Sequence, residues 1–177
     1  VDIRKYDYHQ YLALFSVVFQ DFRLFSFSLG QNVAASAAFD PQRVAACLKE
    51  AGFAPRADTL PQGLNTALYQ DFDSQGVEIS GGEAQKIALA RALYKGAPFM
   101  VLDEPTSALD PVSEYQVYRS FSEISGGKTA LYISHRLASC RFCDEILVFD
   151  QGRIVQRGNH SALLAEKGGK YATLWNA

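Results

Sequence analysis

Three short runs of consecutive apolar residues most constrain the fold of this chain. They are SVVF (residues 16–19), PFMVLD (residues 98–103) and TALYIS (residues 129–134), and none of them alternates regularly between apolar and polar residues. Such runs are typical of strands that are buried on both faces of a parallel sheet. Segments with helical signals separate the three runs, which predicts an α/β fold with a mostly parallel sheet.

The long segment between the first two runs carries helix signals and no convincing strand. DPQRVAACLKEAG (residues 40–52) begins with an Asp-Pro pair and ends with glycine, and EAQKIALARALYKG (residues 83–96) also ends with glycine. These are the residues preferred at helix starts and stops. We therefore predict an α-helical subdomain over residues 22–95, inserted in an α/β core made of residues 1–21 and 96–177.

Four further elements are predicted from local signals. YHQYLALF should form a short helix with Asp7 as its N-cap. DPVSEYQVYRSFSEISG (residues 110–126) repeats the Asp-Pro start and glycine stop of a helix. EILVFDQGRIVQRG (residues 145–158) should form a hairpin that turns at Gln-Gly. HSALLAEKG (residues 160–168) should form a short final helix.

Composition excludes some classes of protein. The net charge is -2 and the isoelectric point is about 5.9, which does not suggest nucleic-acid binding through bulk positive charge. The longest uncharged run, residues 24–39, contains a glycine, a glutamine, an asparagine and three serines. A membrane-spanning helix needs about 20 mostly apolar residues, so this run is not a candidate.

The three cysteines do not form a disulfide framework. Cys140 and Cys143 make a single CxxC pair, and Cys47 lies far from them in the sequence. A zinc site needs about four ligands, and no second pair of ligands is visible. We expect reduced structural thiols, and a metal or redox role of the CxxC pair is the alternative.

Two adjacent carboxylates, Asp103 and Glu104, follow the apolar run PFMVLD. Ligands bind at the carboxyl ends of strands in open α/β sheets. Pro105 disfavours helical geometry at Glu104, so the chain must turn there. One interpretation assigns Asp103 to Mg²⁺ and makes Glu104 the general base for a water molecule. The other is a solvated turn after a strand.

The tetrapeptide ISGG occurs twice, and its first copy (residues 79–82) directly precedes a predicted helix. A helix N-terminus offers unpaired N–H groups and a positive dipole end, and glycines let an anion approach the backbone. Ser80, Gly81 and Gly82 are therefore candidate phosphate-binding residues. The alternative is an ordinary serine N-cap after a loop.

The second copy of ISGG (residues 124–127) runs into Lys128 and Thr129, the ending of a phosphate-binding loop. The full pattern G-x-x-x-x-G-K-[ST] requires a glycine where this chain has Ser122. The order of elements is also reversed, because a predicted helix precedes the glycines and a predicted strand follows them. We therefore do not expect this copy to bind phosphate.

Taken together, these segments resemble the nucleotide-binding domains of exporter-type ABC transporters. ISGGEAQKIALARAL resembles the signature motif, FMVLDE resembles Walker B, and SALD (residues 107–110) resembles the D-loop. Gln20 in VVFQD resembles the Q-loop glutamine, and His135 at the end of LYISH resembles the switch histidine. The resemblance implies a partial P-loop NTPase-like (RecA-like) fold that works with ATP and Mg²⁺.

The resemblance also implies a role for each matched residue. Glu104 polarises the attacking water, and His135 contacts the γ-phosphate. Asp103 and Gln20 serve Mg²⁺, and Gln20 also couples the nucleotide to the membrane domain. The residues implied to contact a nucleotide held mainly by a partner cassette, or to lie at the cassette interface, are Ser80, Gly81, Gly82, Glu83 and Asp110.

Glu83 departs from the family pattern, which usually has glutamine at this position. A carboxylate that pointed at a phosphate would repel it. We therefore expect the Glu83 side chain to face the helix terminus or a cation.

No Walker A motif is found in the chain, and the opening VDIRKYD resembles a segment well after Walker A in exporters. We therefore expect this chain to be the C-terminal portion of one cassette, at the cytoplasmic face of the membrane. We also expect that this portion alone does not hydrolyse ATP. Its expected partners are a second cassette and a transmembrane domain, with no nucleic acid. The alternatives are a soluble ABC-type ATPase and a non-enzymatic interaction fragment.

Overall fold

The computed structural model describes residues 2–105 and 129–176. The chain divides into two compact units, Val1–Ile133 and Ser134–Ala177. The helix predicted over residues 110–126, the D-loop residue Asp110 and the second ISGG copy lie outside the described residues. The predicted bounds of the core and the helical subdomain stay a prediction.

The first unit contains a three-stranded parallel sheet. Its strands are β1 (Phe15–Val18), β2 (Phe99–Asp103) and β3 (Thr129–Ile133), in the order β1-β2-β3. Val18 pairs with Leu102, and Leu102 pairs with Tyr132, so the three strands end close together. The predicted parallel sheet is confirmed, and β1 begins one residue earlier than the apolar run suggested.

The structure between β1 and β2 is helical. Within residues 22–95 the backbone forms no strand longer than an isolated bridge. A short helix, α1 (Tyr8–Ala13), precedes β1, and Asp7 caps it by accepting a hydrogen bond from Gln10 N as predicted. The helices that follow β1 are α2 (Leu29–Ala34), α3 (Pro41–Glu50), α4 (Ala54–Ala57) and α5 (Gly81–Lys95).

The ends of α3 and α5 follow the predicted capping rules. The Asp40 side chain accepts hydrogen bonds from the backbone N–H groups of Gln42 and Arg43, and Pro41 occupies the first helical position. Gly96 ends α5 in a left-handed conformation with φ 69°, which glycine adopts without a steric penalty. Helix α2 was not predicted, although Ser28 and Gln31 form a capping box at its start.

Helix α5 packs against α2, α3 and β1. The core of this unit therefore joins the helices to the sheet, and fully burying one leucine or isoleucine stabilises the fold by about 1.5–3 kcal/mol. No helix among the described residues combines the length and hydropathy needed to cross a bilayer. The largest fully buried aliphatic and aromatic side chains of this core are Val18, Leu29, Val33, Val44, Leu48, Phe53, Leu68, Ile87 and Leu102.

The second unit begins with α6 (Leu137–Cys140) and an antiparallel hairpin, β4 (Ile146–Asp150) and β5 (Arg153–Gly158). The hairpin turns at Gln151 and Gly152, both with positive φ, as the sequence predicted. Two helices then follow, α7 (His160–Ala165) and α8 (Lys170–Trp175).

The prediction that the helix after the hairpin is the final one was wrong, because α8 follows it. The glycine pair before α8 interrupts the helical pattern, and the helix itself spans six residues. Tertiary packing stabilises α8: Tyr171 is only 1% exposed, and its hydroxyl lies 2.8 Å from Nδ1 of His160.

The CxxC cysteines lie against the small core of the second unit. Cys140 and Cys143 pack beside Ile146 and Val148, and neither forms a disulfide. Burial, with smaller effects from Cys140 and Asp144, raises the pKa of Cys143 to about 11. The Cys143 thiol is therefore protonated at neutral pH, which makes it a poor nucleophile and metal ligand.

Candidate functional site

The two predicted carboxylates lie at the carboxyl end of the central strand. Asp103 is the last residue of β2, Glu104 follows it, and both side chains are half-buried. Glu104 has a left-handed backbone with φ 46°, so the turn expected before Pro105 is present. A residue other than glycine pays about 1–3 kcal/mol for such a conformation, which persists only where neighbouring groups hold it.

Gln20 reaches Glu104 from the turn that follows the neighbouring strand β1. Gln20 Nε2 donates a hydrogen bond of 2.8 Å to Glu104 Oε2. Because β1 and β2 are adjacent and parallel, their carboxyl ends meet at one edge of the sheet, where this contact forms. The structure therefore brings together two predicted site residues that are 84 positions apart.

The backbone of Glu104 is held on both sides. Its N–H donates a hydrogen bond of 2.9 Å to the carbonyl oxygen of Ile133, at the end of β3. Its carbonyl oxygen accepts a hydrogen bond of 3.3 Å from Nε2 of Gln85, on α5. Sequence reasoning missed Gln85, although a polar residue on the apolar face of α5 was a signal that could have identified it.

The first ISGG copy forms the start of α5. Ser80 is the N-cap: its Oγ accepts a hydrogen bond of 3.3 Å from Glu83 N, and Ser80 N donates one of 2.9 Å to Glu83 Oε2. This reciprocal pair is a capping box. Ser80 and Gly81 are exposed, and Gly82 is half-buried. The exposed beginning of α5 is therefore the surface that the predicted signature motif presents.

Glu83 faces both the helix terminus and a cation, as expected from the sequence. Its Oε1 accepts a hydrogen bond of 3.0 Å from Arg56 Nε. Burial acts to raise the pKa of Glu83, but the hydrogen bonds from Ser80 and the charge of Arg56 outweigh it, so the pKa is lowered. Glu83 is therefore a carboxylate at neutral pH, and its charge is partly neutralised.

Arg56 was not identified from the sequence. It lies on the four-residue helix α4, and 27 positions separate it from Glu83. No spacing rule relates two residues so far apart. The contact forms only when α4 packs near the start of α5.

Two predicted residues, His135 and Asp110, are not among the described residues of the first unit. His135 is exposed and belongs to the second unit, two positions after the end of β3. Asp110 lies outside the described residues. The described members of the site in the first unit are Gln20, Ser80, Gly81, Gly82, Glu83, Asp103 and Glu104.

A surface groove of about 420 Å³ is lined by residues on both sides of Gln20 in the sequence. Arg91 contributes to its lining, and its Nε donates a hydrogen bond of 2.7 Å to the carbonyl oxygen of Asn32. Its Nη1 donates another of 3.1 Å to the carbonyl oxygen of Arg23. Burial lowers the pKa of Arg91. The other lining residues are Val17, Val18, Phe19, Asp21, Phe22, Arg23, Phe25 and Ala88.

Comparison with known proteins agrees with the motifs. The family model described as ABC transporter matches residues 1–107. An ATP-dependent lipid A-core flippase of Burkholderia orbicola is 40% identical over 174 residues, which cover 98% of this chain and 28% of the flippase. A flippase with the same description from Bordetella avium is 44% identical over 163 residues, with coverages of 91% and 27%.

A solved structure gives the same result at the level of the fold. It is the structure of a bacterial Atm1-family ABC exporter with ATP bound, with a TM-score of 0.83 and 36% identity. The match covers 93% of this chain and 28% of the exporter chain, so the chain spans less than a third of the length of the relatives it matches. The α/β fold with its parallel sheet matches that of an ABC ATPase, a P-loop NTPase fold. The family match extends over more than half of the chain, and this protein therefore belongs to the ABC transporter family.

Proposed function

We propose that this chain is part of the nucleotide-binding domain of an exporter-type ABC transporter, and that the complete protein hydrolyses ATP to drive transport. The observation that supports this most directly is the hydrogen bond between Gln20 and Glu104. It joins the predicted Q-loop glutamine to the predicted Walker B carboxylate. It also lies at the carboxyl ends of adjacent parallel strands, where α/β sheets bind ligands.

The donor set at this edge of the sheet fits Mg²⁺. Asp103 and Glu104 offer two carboxylates, and the described residues contain no cluster of three or more His, Cys, Asp and Glu that would enclose a metal ion. Mg²⁺ commonly binds through one or two carboxylates, with substrate phosphates and water as its other ligands. In this site Asp103 would hold the ion, and the ion would neutralise charge on the phosphates.

Glu104 is the proposed general base. A base must lie within hydrogen-bond reach of the proton that it accepts, and its carboxylate must be oriented. Gln20 supplies that orientation by holding Oε2, while the bonded backbone fixes where the side chain begins. His135 is proposed to contact the γ-phosphate, on the strength of its motif.

Ser80, Gly81 and Gly82 are proposed to contact the γ-phosphate of a nucleotide that is held mainly by a second cassette. The exposure of Ser80 and Gly81 at the start of a 15-residue helix supports this role. The partners of the complete protein are then a second cassette and a transmembrane domain, at the cytoplasmic face of the membrane. The groove lined by residues on both sides of Gln20 is the proposed surface for the transmembrane domain.

The test is Glu104→Gln in the complete protein. The amide keeps the shape of the side chain but cannot accept the proton, so ATP turnover should fall roughly 10²- to 10⁴-fold. ATP binding, measured by equilibrium dialysis, should remain. Glu50→Gln, at the exposed end of α3, is the matched control and should leave turnover unchanged. Unchanged turnover of Glu104→Gln would remove Glu104 as the base.

A further inference from the structure

Gln85 is a buried polar residue on the helix that begins with the signature segment. It is 3% exposed and lies among buried apolar residues of α5, including Ala84 and Ala88. Burying an amide without hydrogen bonds costs free energy, so the hydrogen bonds of Gln85 are needed to stabilise it at this position. The Nε2 of Gln85 donates a hydrogen bond of 3.3 Å to the carbonyl oxygen of Glu104.

The residue at the other end of this hydrogen bond is conformationally strained. Glu104 has φ 46°, which for a residue with a side chain is stable only where several contacts hold it. Ile133 accepts from its N–H, and Gln85 donates to its carbonyl oxygen. The peptide groups on both sides of Glu104 are therefore tied to β3 and to α5.

We propose that Gln85 is a positioning residue that keeps Glu104 in its left-handed conformation and so keeps its carboxylate where the reaction needs it. This inference rests on the proposed function, in which Glu104 is the general base. Gln85 does not touch the reacting atoms in this arrangement and acts through the backbone of Glu104.

The same contact ties the signature segment to the base within one chain. Three positions separate Gly82 from Gln85, and the helix rises about 1.5 Å per residue, so the two lie about one turn apart on a continuous helix. A displacement of the start of α5 would therefore change the geometry at the Glu104 carbonyl. In a pair of cassettes, contact of Ser80–Gly82 with one nucleotide would therefore affect the position of Glu104, the base that acts on the second nucleotide.

The experiment replaces Gln85 by methionine in the purified complete protein. Methionine keeps the length and approximate volume of the side chain but cannot donate to the Glu104 carbonyl. We expect kcat to fall roughly 10- to 100-fold, the size of effect that a misplaced catalytic group produces. The KM for ATP should stay unchanged, because nucleotide binding does not use this contact.

Ile87→Val is the matched control. Ile87 is fully buried on the same helix, and its side chain cannot form a hydrogen bond with Glu104. The control therefore removes packing without removing the proposed positioning, and kcat should remain near that of the unmodified protein. Rates are normalised to the folded fraction, measured by ATP-site titration. If Gln85→Met does not fold, Gln85→Asn keeps an amide at the site but shortens its reach, and the same expectations apply.

A double-mutant comparison separates positioning from a general structural role. In a Glu104→Gln background no base remains to be positioned, so Gln85→Met should cause little further loss. An unchanged kcat of Gln85→Met would overturn the inference, and so would an equal loss in both backgrounds or a change confined to KM. If Glu104→Gln hydrolyses ATP slowly while Gln85→Met keeps the kcat of the unmodified protein, only this inference is refuted. If Glu104→Gln keeps the turnover of the unmodified protein, both the proposed base and this inference are refuted.

Discussion

Removing the Arg56 side chain tests how the predicted signature motif of this protein tolerates a glutamate. The Arg56 guanidinium lies 3.0 Å from the Glu83 carboxylate, and the two side chains are 39% and 27% exposed. Solvent screening and side-chain entropy reduce the worth of a pair this exposed to at most about 1 kcal/mol. That free energy corresponds to a factor of about five in an equilibrium constant.

The Arg56→Met variant leaves the Glu83 carboxylate without its cation, close to the exposed start of α5. If that terminus contacts phosphate, the uncompensated charge should raise the KM for ATP about fivefold at low salt in the complete protein. The increase should shrink at high ionic strength, because salt screens exposed charges. Arg157→Met is the matched control, since it removes another arginine from an exposed pair with a glutamate.

Restoring neutrality should rescue the variant. Adding Glu83→Gln to Arg56→Met removes the unpaired charge while the amide oxygen can still accept from Ser80 N, so KM should return towards its original value. An increase in KM that persists in the double variant would refute the electrostatic argument. An increase in KM that does not depend on salt concentration would refute it as well, and would instead indicate that Arg56 acts through packing.

Three further predictions concern stability and reactivity. The pKa of Glu83 is lowered in the folded state, so its contribution to stability is complete above the usual glutamate pKa of about 4.3 and is lost as pH falls through the lowered value. Lowering the pH from 5 to 3 should therefore reduce the thermal unfolding temperature of the unmodified protein more than that of Glu83→Gln. Arg91→Met should lower the free energy of unfolding by roughly 2–3 kcal/mol in urea titrations, because two carbonyl oxygens lose charge-assisted hydrogen bonds; no loss would contradict that account. Iodoacetamide should modify Cys143 roughly 100-fold more slowly in the native protein than in urea at pH 8, because its pKa is about 11 when folded. Equal labelling rates would show that the thiol is not buried.

Local signals were sufficient for most of the helix and strand positions. Asp40, Pro41 and Gly96 mark their helices because caps and stops act within one turn of the backbone. The hairpin turn at Gln151 and Gly152 was predicted for the same reason. Helix α8 was missed because six residues carry little helical signal, and burial of Tyr171 stabilises them.

Candidate site residues could be proposed one by one from the sequence, but their contacts could not. Motif order pointed to Gln20 and Glu104 as candidates, and the capping position of Ser80 followed from its place before a helix. The motifs did not point to Arg56 or Gln85, because each acts on a residue that is distant in sequence.

By itself the sequence determined the strands, the ends of helices α3 and α5 and the order of the motifs, since these depend on periodicity and on residues within a few positions. It also determined that Glu104 is not helical, because a proline follows it. Only the tertiary structure decided that Glu104 is left-handed, held by Ile133 and Gln85 and facing Gln20. The physical reason is that strand pairing and the docking of α5 set these distances, and both depend on the packed core.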